Sequence, residues 1–236
     1  MKPPATPIDT LSNDAANLYK HLHPVLILSL YAYQFSSIVA DPVPALTTTL
    51  IPLAVLQIAY AAICLPPIGS SNGVGGGEKK KPGERRKAAP GKLEVSFNSK
   101  IVPAFLSLIS STLPGIPVLA LSLLLFGAPV TTHHAETLLA AAHISFLATL
   151  PLVYVHGVDG GRWREIVAAQ VHIDEVFGCT LGTLVGAWLG AVPIPLDWDR
   201  EWQKWPITIV TGAYIGFTVG KVLGGTILKG KTVSFE

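Results

Sequence analysis

Polar residues in this chain are confined to short stretches between long apolar runs. A helix needs about 20 apolar residues to span a hydrocarbon core about 30 Å thick. Six runs of that kind can be read: roughly Leu22 to Ala40, Val43 to Leu65, Ile101 to Phe126, Ala135 to Val155, Val171 to Val192, and Ile207 to Leu228. The predicted fold class is therefore all-α, a polytopic membrane helix bundle with about six transmembrane helices. Proline interrupts the third run at Pro103, Pro114 and Pro117, and the fourth run includes Glu136 and His143. Membrane helices tolerate such prolines because neighbouring helices and side chains re-satisfy the backbone groups that proline frees.

Within the last two runs glycine recurs at every fourth position: Gly178, Gly182, Gly186 and Gly190, then Gly212, Gly216, Gly220 and Gly224. An interior glycine costs a water-soluble helix about 0.5–1 kcal/mol relative to alanine, so two strict registers require another cause. A bilayer supplies it. Small residues spaced by four bare one stripe of a helix, so that backbones approach closely and dispersion replaces the hydrophobic drive that lipid cannot give. Positions four apart advance by about 40° on a helix of 3.6 residues per turn, so each stripe winds slowly around its helix. The ladders are expected to be a helix-packing or partner-binding surface, each facing either the other ladder or the spans of a second protein.

Composition narrows the class further. Half of the residues are hydrophobic, 14% are charged, and the mean hydropathy is +0.49, whereas soluble domains average about 25% charged residues. Six spans leave no room in 236 residues for a large soluble catalytic domain. The segment from Pro66 to Lys100 holds eight of the seventeen Lys and Arg (Lys79, Lys80, Lys81, Arg85, Arg86, Lys87, Lys92 and Lys100) against Glu78, Glu84 and Glu94. So basic a loop resists translocation and is expected in the cytosol. Its Gly, Ser, Pro and charged composition reads as a disordered linker over 66–100, dividing spans one and two (22–65) from spans three to six (101–228).

With six spans both terminal tails, 1–21 and 229–236, are expected in the cytosol, in keeping with Lys221, Lys229 and Lys231. The loop with Arg162 and Arg164 falls on the same side. The loop from Pro193 to Trp205, with Asp197, Asp199 and Glu201 against Arg200 and Lys204, falls on the lumenal or exterior side. The first span reads as a signal anchor, because its apolar stretch is long and is followed directly by another. Membrane lipids are the expected surroundings, since a basic linker suits anionic headgroups; no nucleic-acid partner is expected.

Candidate chemistry is sparse. Cys64 and Cys179 lie inside spans and imply neither a disulfide framework nor a metal site. His133, His134, Glu136, His143, His156, Asp159, His172, Asp174 and Glu175 cluster around the fourth and fifth runs. Their spacing does not form a metal-binding pair on one helical face, so their expected role is capping or pairing helices. Asp197, Trp198 and Asp199 make an Asp-x-Asp triplet of the kind some glycosyltransferases use to hold a divalent metal. With Trp202 and Trp205 beside it, the loop reads instead as an interfacial belt whose indoles sit at headgroup level.

At these residues the chain resembles a known family. The stretch GTLVGAWLGAVPIPLDWDREWQKWPITIVTGAYIGFTVG, Gly182 to Gly220, is similar to the signature region of the PIG-F family of glycosylphosphatidylinositol (GPI) biosynthesis. The likeness joins Pro193-Ile194-Pro195, Leu196-Asp197-Trp198-Asp199-Arg200, Trp202-Gln203 and Trp205-Pro206 to both glycine ladders, with Glu201 where relatives are expected to carry proline. The resemblance implies a multi-pass protein of the endoplasmic reticulum membrane. It further implies a small noncatalytic subunit, without cofactor or metal of its own, that stabilises larger catalytic ethanolamine-phosphate transferase subunits. Those partners would carry the zinc and move phosphoethanolamine from phosphatidylethanolamine to GPI mannoses. The competing expectation from the broken helices and the intramembrane Glu136 and His143 is a small multispan lipid or solute transporter.

Overall fold

The structure, a computed structural model, describes residues 6–70, 97–196 and 198–233. Most of the basic linker and Asp197 lie outside the described residues. The helices are α1 (Asp14–Ala40), α2 (Pro42–Cys64), α3 (Phe97–Ser110), α4 (Ile116–Leu125), α5 (His134–His156), α6 (Gly160–Val167), α7 (Glu175–Leu189) and α8 (Ile207–Gly225). No strand occurs among the described residues, so the all-α membrane bundle predicted from the apolar runs is the fold adopted.

Five segments are long and apolar enough to cross a membrane: Asp14–Ala40, Pro42–Cys64, Ser99–Leu125, His134–His156 and Ile207–Gly225. The third is continuous despite its prolines. Pro114 has no amide to donate and its ring collides with the carbonyl one turn back, and the chain answers with a π turn over Ser111–Gly115. The Ser145 hydroxyl on α5 donates to the Ser111 carbonyl at 2.7 Å, the kind of cross-helix repair that lets a proline persist in lipid.

The predicted fifth span, Val171 to Val192, is shorter as a helix: α7 has 15 residues. At 1.5 Å per residue that is about 22 Å, less than the core thickness. Its N-terminus is set by Asp174, whose carboxylate accepts from the amides of Val176 (3.0 Å) and Phe177 (2.8 Å). Its C-terminus falls at Gly190, just ahead of Pro193 and Pro195. Conversely α1 begins eight residues before the apolar run, at Asp14, because the Asn13 side chain caps the Ala16 amide at 2.7 Å.

The crossings alternate. One end of the bundle gathers the beginning of α1, the ends of α2, α5 and α8, and the start of α7; it is called here the terminal end. Leu11 N–H bonds Cys64 O (2.8 Å), Ile8 N–H bonds Asp174 Oδ2 (3.0 Å), Ile173 N–H bonds Lys231 O (2.7 Å), and Lys229 Nζ pairs with Asp9 (2.6 Å). The opposite, loop end holds the α1–α2 turn, residues 126–133 and residues 190–206. There Trp205 Nε1 donates to Thr137 Oγ1 at 3.1 Å. Helix α5 is the axis, buried along nearly its whole length and touching α2, α3, α4, α7 and α8.

Candidate functional site: a glycine-laddered hairpin and its polar anchors

Helices α7 and α8 are antiparallel and are the most intimately packed pair among the described elements. The two ladders face each other. A Cβ built on any of the eight glycines would fall closer than 3.0 Å to backbone across the interface: on Gly178 it would meet Gly220 O and Gly224 Cα, on Gly182 Gly216 O and Gly220 Cα, on Gly186 Gly212 O and Gly216 Cα, and on Gly190 Thr208 O and Ile209 Cα. The reciprocal positions meet the same partners, and Gly224 meets Asp174 O. Glycine is required here by proximity, not by backbone angle, since no ladder glycine has positive φ.

The buried titratable groups bind helix to helix. Glu175 opens α7 and pairs with Lys221 of α8, which is 3% exposed. Tyr60 of α2 donates its hydroxyl to the same carboxylate oxygen at 2.7 Å, and the Lys221 ammonium stands 3.3 Å from the centroid of the Tyr60 ring. Acid, base and aromatic ring thus close a triangle that ties α2, α7 and α8 together. His23 of α1 stacks on Tyr60, ring centroids 4.5 Å apart.

His143 performs the same office nearer the loop end. Its Nε2 lies 3.1 Å from the Leu46 carbonyl and its Nδ1 2.8 Å from the Tyr214 hydroxyl. A carbonyl only accepts, so Nε2 carries the proton and Nδ1 accepts from Tyr214. One imidazole therefore joins α2, α5 and α8, and Tyr214 in turn stacks on Tyr31 of α1 at 4.4 Å.

The loop between the ladders is held by one side chain. Gln203 Nε2 donates to the carbonyls of Pro193 and Leu196, both at 2.8 Å, while its Oε1 accepts from the Arg200 amide at 2.9 Å. Trp198 and Trp202 lie with ring centroids 5.8 Å apart, and Asp199 adopts a positive φ of 50°. Glu201 pairs with Lys204. Ile194, Leu196, Asp199, Arg200, Glu201, Gln203 and Lys204 line a polar pocket of about 330 Å³, and the outer face of the hairpin carries an apolar groove of about 680 Å³.

The structure scatters the other predicted polar residues. His133 pairs with Glu136 (3.0 Å) at the loop end, while at the terminal end Asp159 caps the Arg162 amide (2.8 Å) and His156 accepts from Arg162 Nε (3.3 Å). Among the described residues no group of three metal-ligating side chains converges, and Asp197 of the Asp-x-Asp triplet is outside them. Cys64 and Cys179 are buried and unpaired.

Sequence reasoning missed Tyr60, His23, Tyr31 and Tyr214, which look like ordinary apolar-run residues. It also placed Lys221 among charges at the water boundary, whereas it is buried in the triangle. The antiparallel register sets Glu175 beside Gly225, and Lys221, about a turn earlier on α8, reaches the carboxylate with its long side chain.

Comparison with known proteins gives a consistent result. The family described as GPI biosynthesis protein family Pig-F matches residues 22–225. A glycosylphosphatidylinositol anchor biosynthesis protein 11 of Aspergillus fumigatus is 47% identical across 94% of this chain and 84% of its own length. The protein of the same description from Neurospora crassa is 42% identical across 95% of this chain and 80% of its own length. A PIGF/3-ketodihydrosphingosine reductase fusion protein of Schizosaccharomyces pombe is 35% identical across 49% of this chain and 24% of its own length. No solved structure matches the chain.

Proposed function

The chain belongs to the Pig-F family of GPI biosynthesis proteins, and from that premise we propose that it is the small noncatalytic subunit of the ethanolamine-phosphate transferases of the endoplasmic reticulum membrane. Its role in GPI-anchor biosynthesis is to stabilise a larger catalytic subunit that adds phosphoethanolamine to GPI mannoses. One observation carries this reading: three of the buried ionisable groups in the bundle, Asp174, Glu175 and His143, serve as fasteners between elements. Asp174 caps α7 and holds Ile8, Glu175 holds Lys221 and Tyr60, and His143 holds Leu46 and Tyr214. Side chains spent on such bonds rigidify a bundle and leave it suited to being a scaffold for another protein's spans.

In this reading the ladder hairpin is a preformed rigid unit, and the basic linker lies in the cytosol with the residue 193–205 loop in the lumen. The test is depletion of the chain in cells. A stabilising subunit predicts that the larger transferase falls in abundance and that GPI intermediates lacking phosphoethanolamine accumulate together. Accumulation with the transferase at its normal level would mean that this chain takes part in the chemistry itself.

A further inference from the structure

Two buried polar side chains break the fastening pattern. His23 of α1 and Gln57 of α2 are both 0% exposed, yet neither ring nitrogen of His23 and neither amide atom of Gln57 has a hydrogen-bond partner among the described residues. A buried polar group left bare keeps its full desolvation cost, so native structures almost always supply it with a partner. His143 shows the usual solution, with protein at both of its nitrogens.

The two bare side chains lie within a turn of each other. His23 stacks on Tyr60 with 13° between the ring planes and meets Phe217 of α8 edge-on at 5.8 Å, so the ring is held by its face and its nitrogens stand at the edge. Gln57 precedes Tyr60 by three residues on the buried stripe of α2 that also holds Leu53 and Cys64. The Leu56 carbonyl, next to Gln57 in the chain, lies beside the His23 ring and accepts a long 3.5 Å bond from the Tyr19 hydroxyl. Charge and enclosure then select the guest. The Lys221 ammonium over the same Tyr60 ring repels a second cation, and the Glu175 carboxylate on the Tyr60 hydroxyl repels an anion. Both side chains are wholly enclosed, which leaves no opening for an organic ligand. What remains is a small neutral molecule that both donates and accepts.

We propose that His23, Gln57 and the Leu56 carbonyl bind ordered water inside the bundle, where it links α1 to α2 beside the Tyr60, Glu175 and Lys221 triangle. A neutral imidazole offers one donor and one acceptor, and the Gln57 amide offers both as well, so water finds the two to four polar partners that hold it in an interior. The site goes beyond the subunit role and stands whether or not the chain works with a partner. It makes α1 part of the polar fastening that otherwise joins α2, α7 and α8 at this level.

The test is radiolytic hydroxyl labelling of the full-length chain in nanodiscs, read by mass spectrometry, because radicals form from water where it is bound and oxidise the side chains beside it. His23 is expected to be oxidised several-fold faster than His143, which is equally buried but bonded to protein at both nitrogens. Gln57→Leu and Gln57→Met each remove the amide, so each brings His23 down to the His143 rate and lowers the thermal midpoint. Slow labelling of His143 in the variants reports a bundle that is still packed, and the comparison in the native chain stands by itself should neither variant fold. Oxidation of His23 no faster than that of His143 in the native chain overturns the proposal. So does fast His23 labelling that survives both substitutions with His143 still protected, or a raised thermal midpoint in either variant, as removal of a bare buried amide would give.

Discussion

At Gly186 an added side chain has nowhere to go, because its first carbon would already lie 2.9 Å from Gly216 Cα and closer still to the Gly212 carbonyl oxygen. Backbone cannot yield as a flexible side chain can, so the helices must part, and dispersion is lost along the whole stripe. Gly186→Leu or Gly216→Leu is therefore expected to lower stability by at least the roughly 1–3 kcal/mol typical of overpacking, read as a fall in the thermal midpoint of the purified chain in detergent. Val222→Leu, at a half-exposed position of α8, is the control and should leave the midpoint unchanged. Equal midpoints for the three variants would mean that the ladder contact is not what holds the hairpin.

The Glu175–Lys221 pair makes a second prediction at this scale. Removing one partner of a buried ion pair strands the other and costs about 3–5 kcal/mol. Lys221→Met alone should destabilise strongly, and adding Glu175→Gln should recover part of the loss, because the double variant leaves no uncompensated charge. Additive losses in thermal unfolding would show that the two charges are not coupled.

At the scale of the element, much of this architecture was legible in the sequence. The apolar runs located the crossings, since lipid permits few alternatives to a helix of sufficient length. Glycine spacing identified the close-packing stripes, but not which surface they face; that depends on the antiparallel register of α7 and α8, a tertiary fact. The shortness of α7 was hidden because Val171, Ile173 and Val192 extend its apolar run beyond the Asp174 cap and the turn at Gly190. The polar anchors were the least legible. Tyr60 and Tyr214 carry no local signal, and their roles arise only when α2, α5 and α8 bring them against Glu175 and His143.

The six-span reading gives a topology that labelling can check. If α7 completes the sixth crossing expected from the sequence, the 66–100 linker and the residue 193–205 loop lie on opposite sides, and both native cysteines are buried. A thiol reagent that cannot cross membranes should reach Lys80→Cys from the cytosol and Glu201→Cys only after permeabilisation. Reaction of both from one side would require an even number of crossings between them and overturn the assignment.

For the whole molecule, a bundle whose buried ionisable groups fasten helix to helix is built to hold a shape. In a member of a GPI biosynthesis family, that points to work done on a partner's behalf, with outward surfaces such as the sparsely buried Ser99–Leu125 segment left for lipid or for another protein's spans. The most direct test is the mass of the particle that the tagged full-length chain brings out of the membrane in mild detergent. The account predicts a stoichiometric complex with one larger membrane protein, whose ethanolamine-phosphate transferase activity resides in that partner when the two are separated. A chain that emerges alone and itself carries out phosphoethanolamine transfer, or lipid or solute transport, would contradict it.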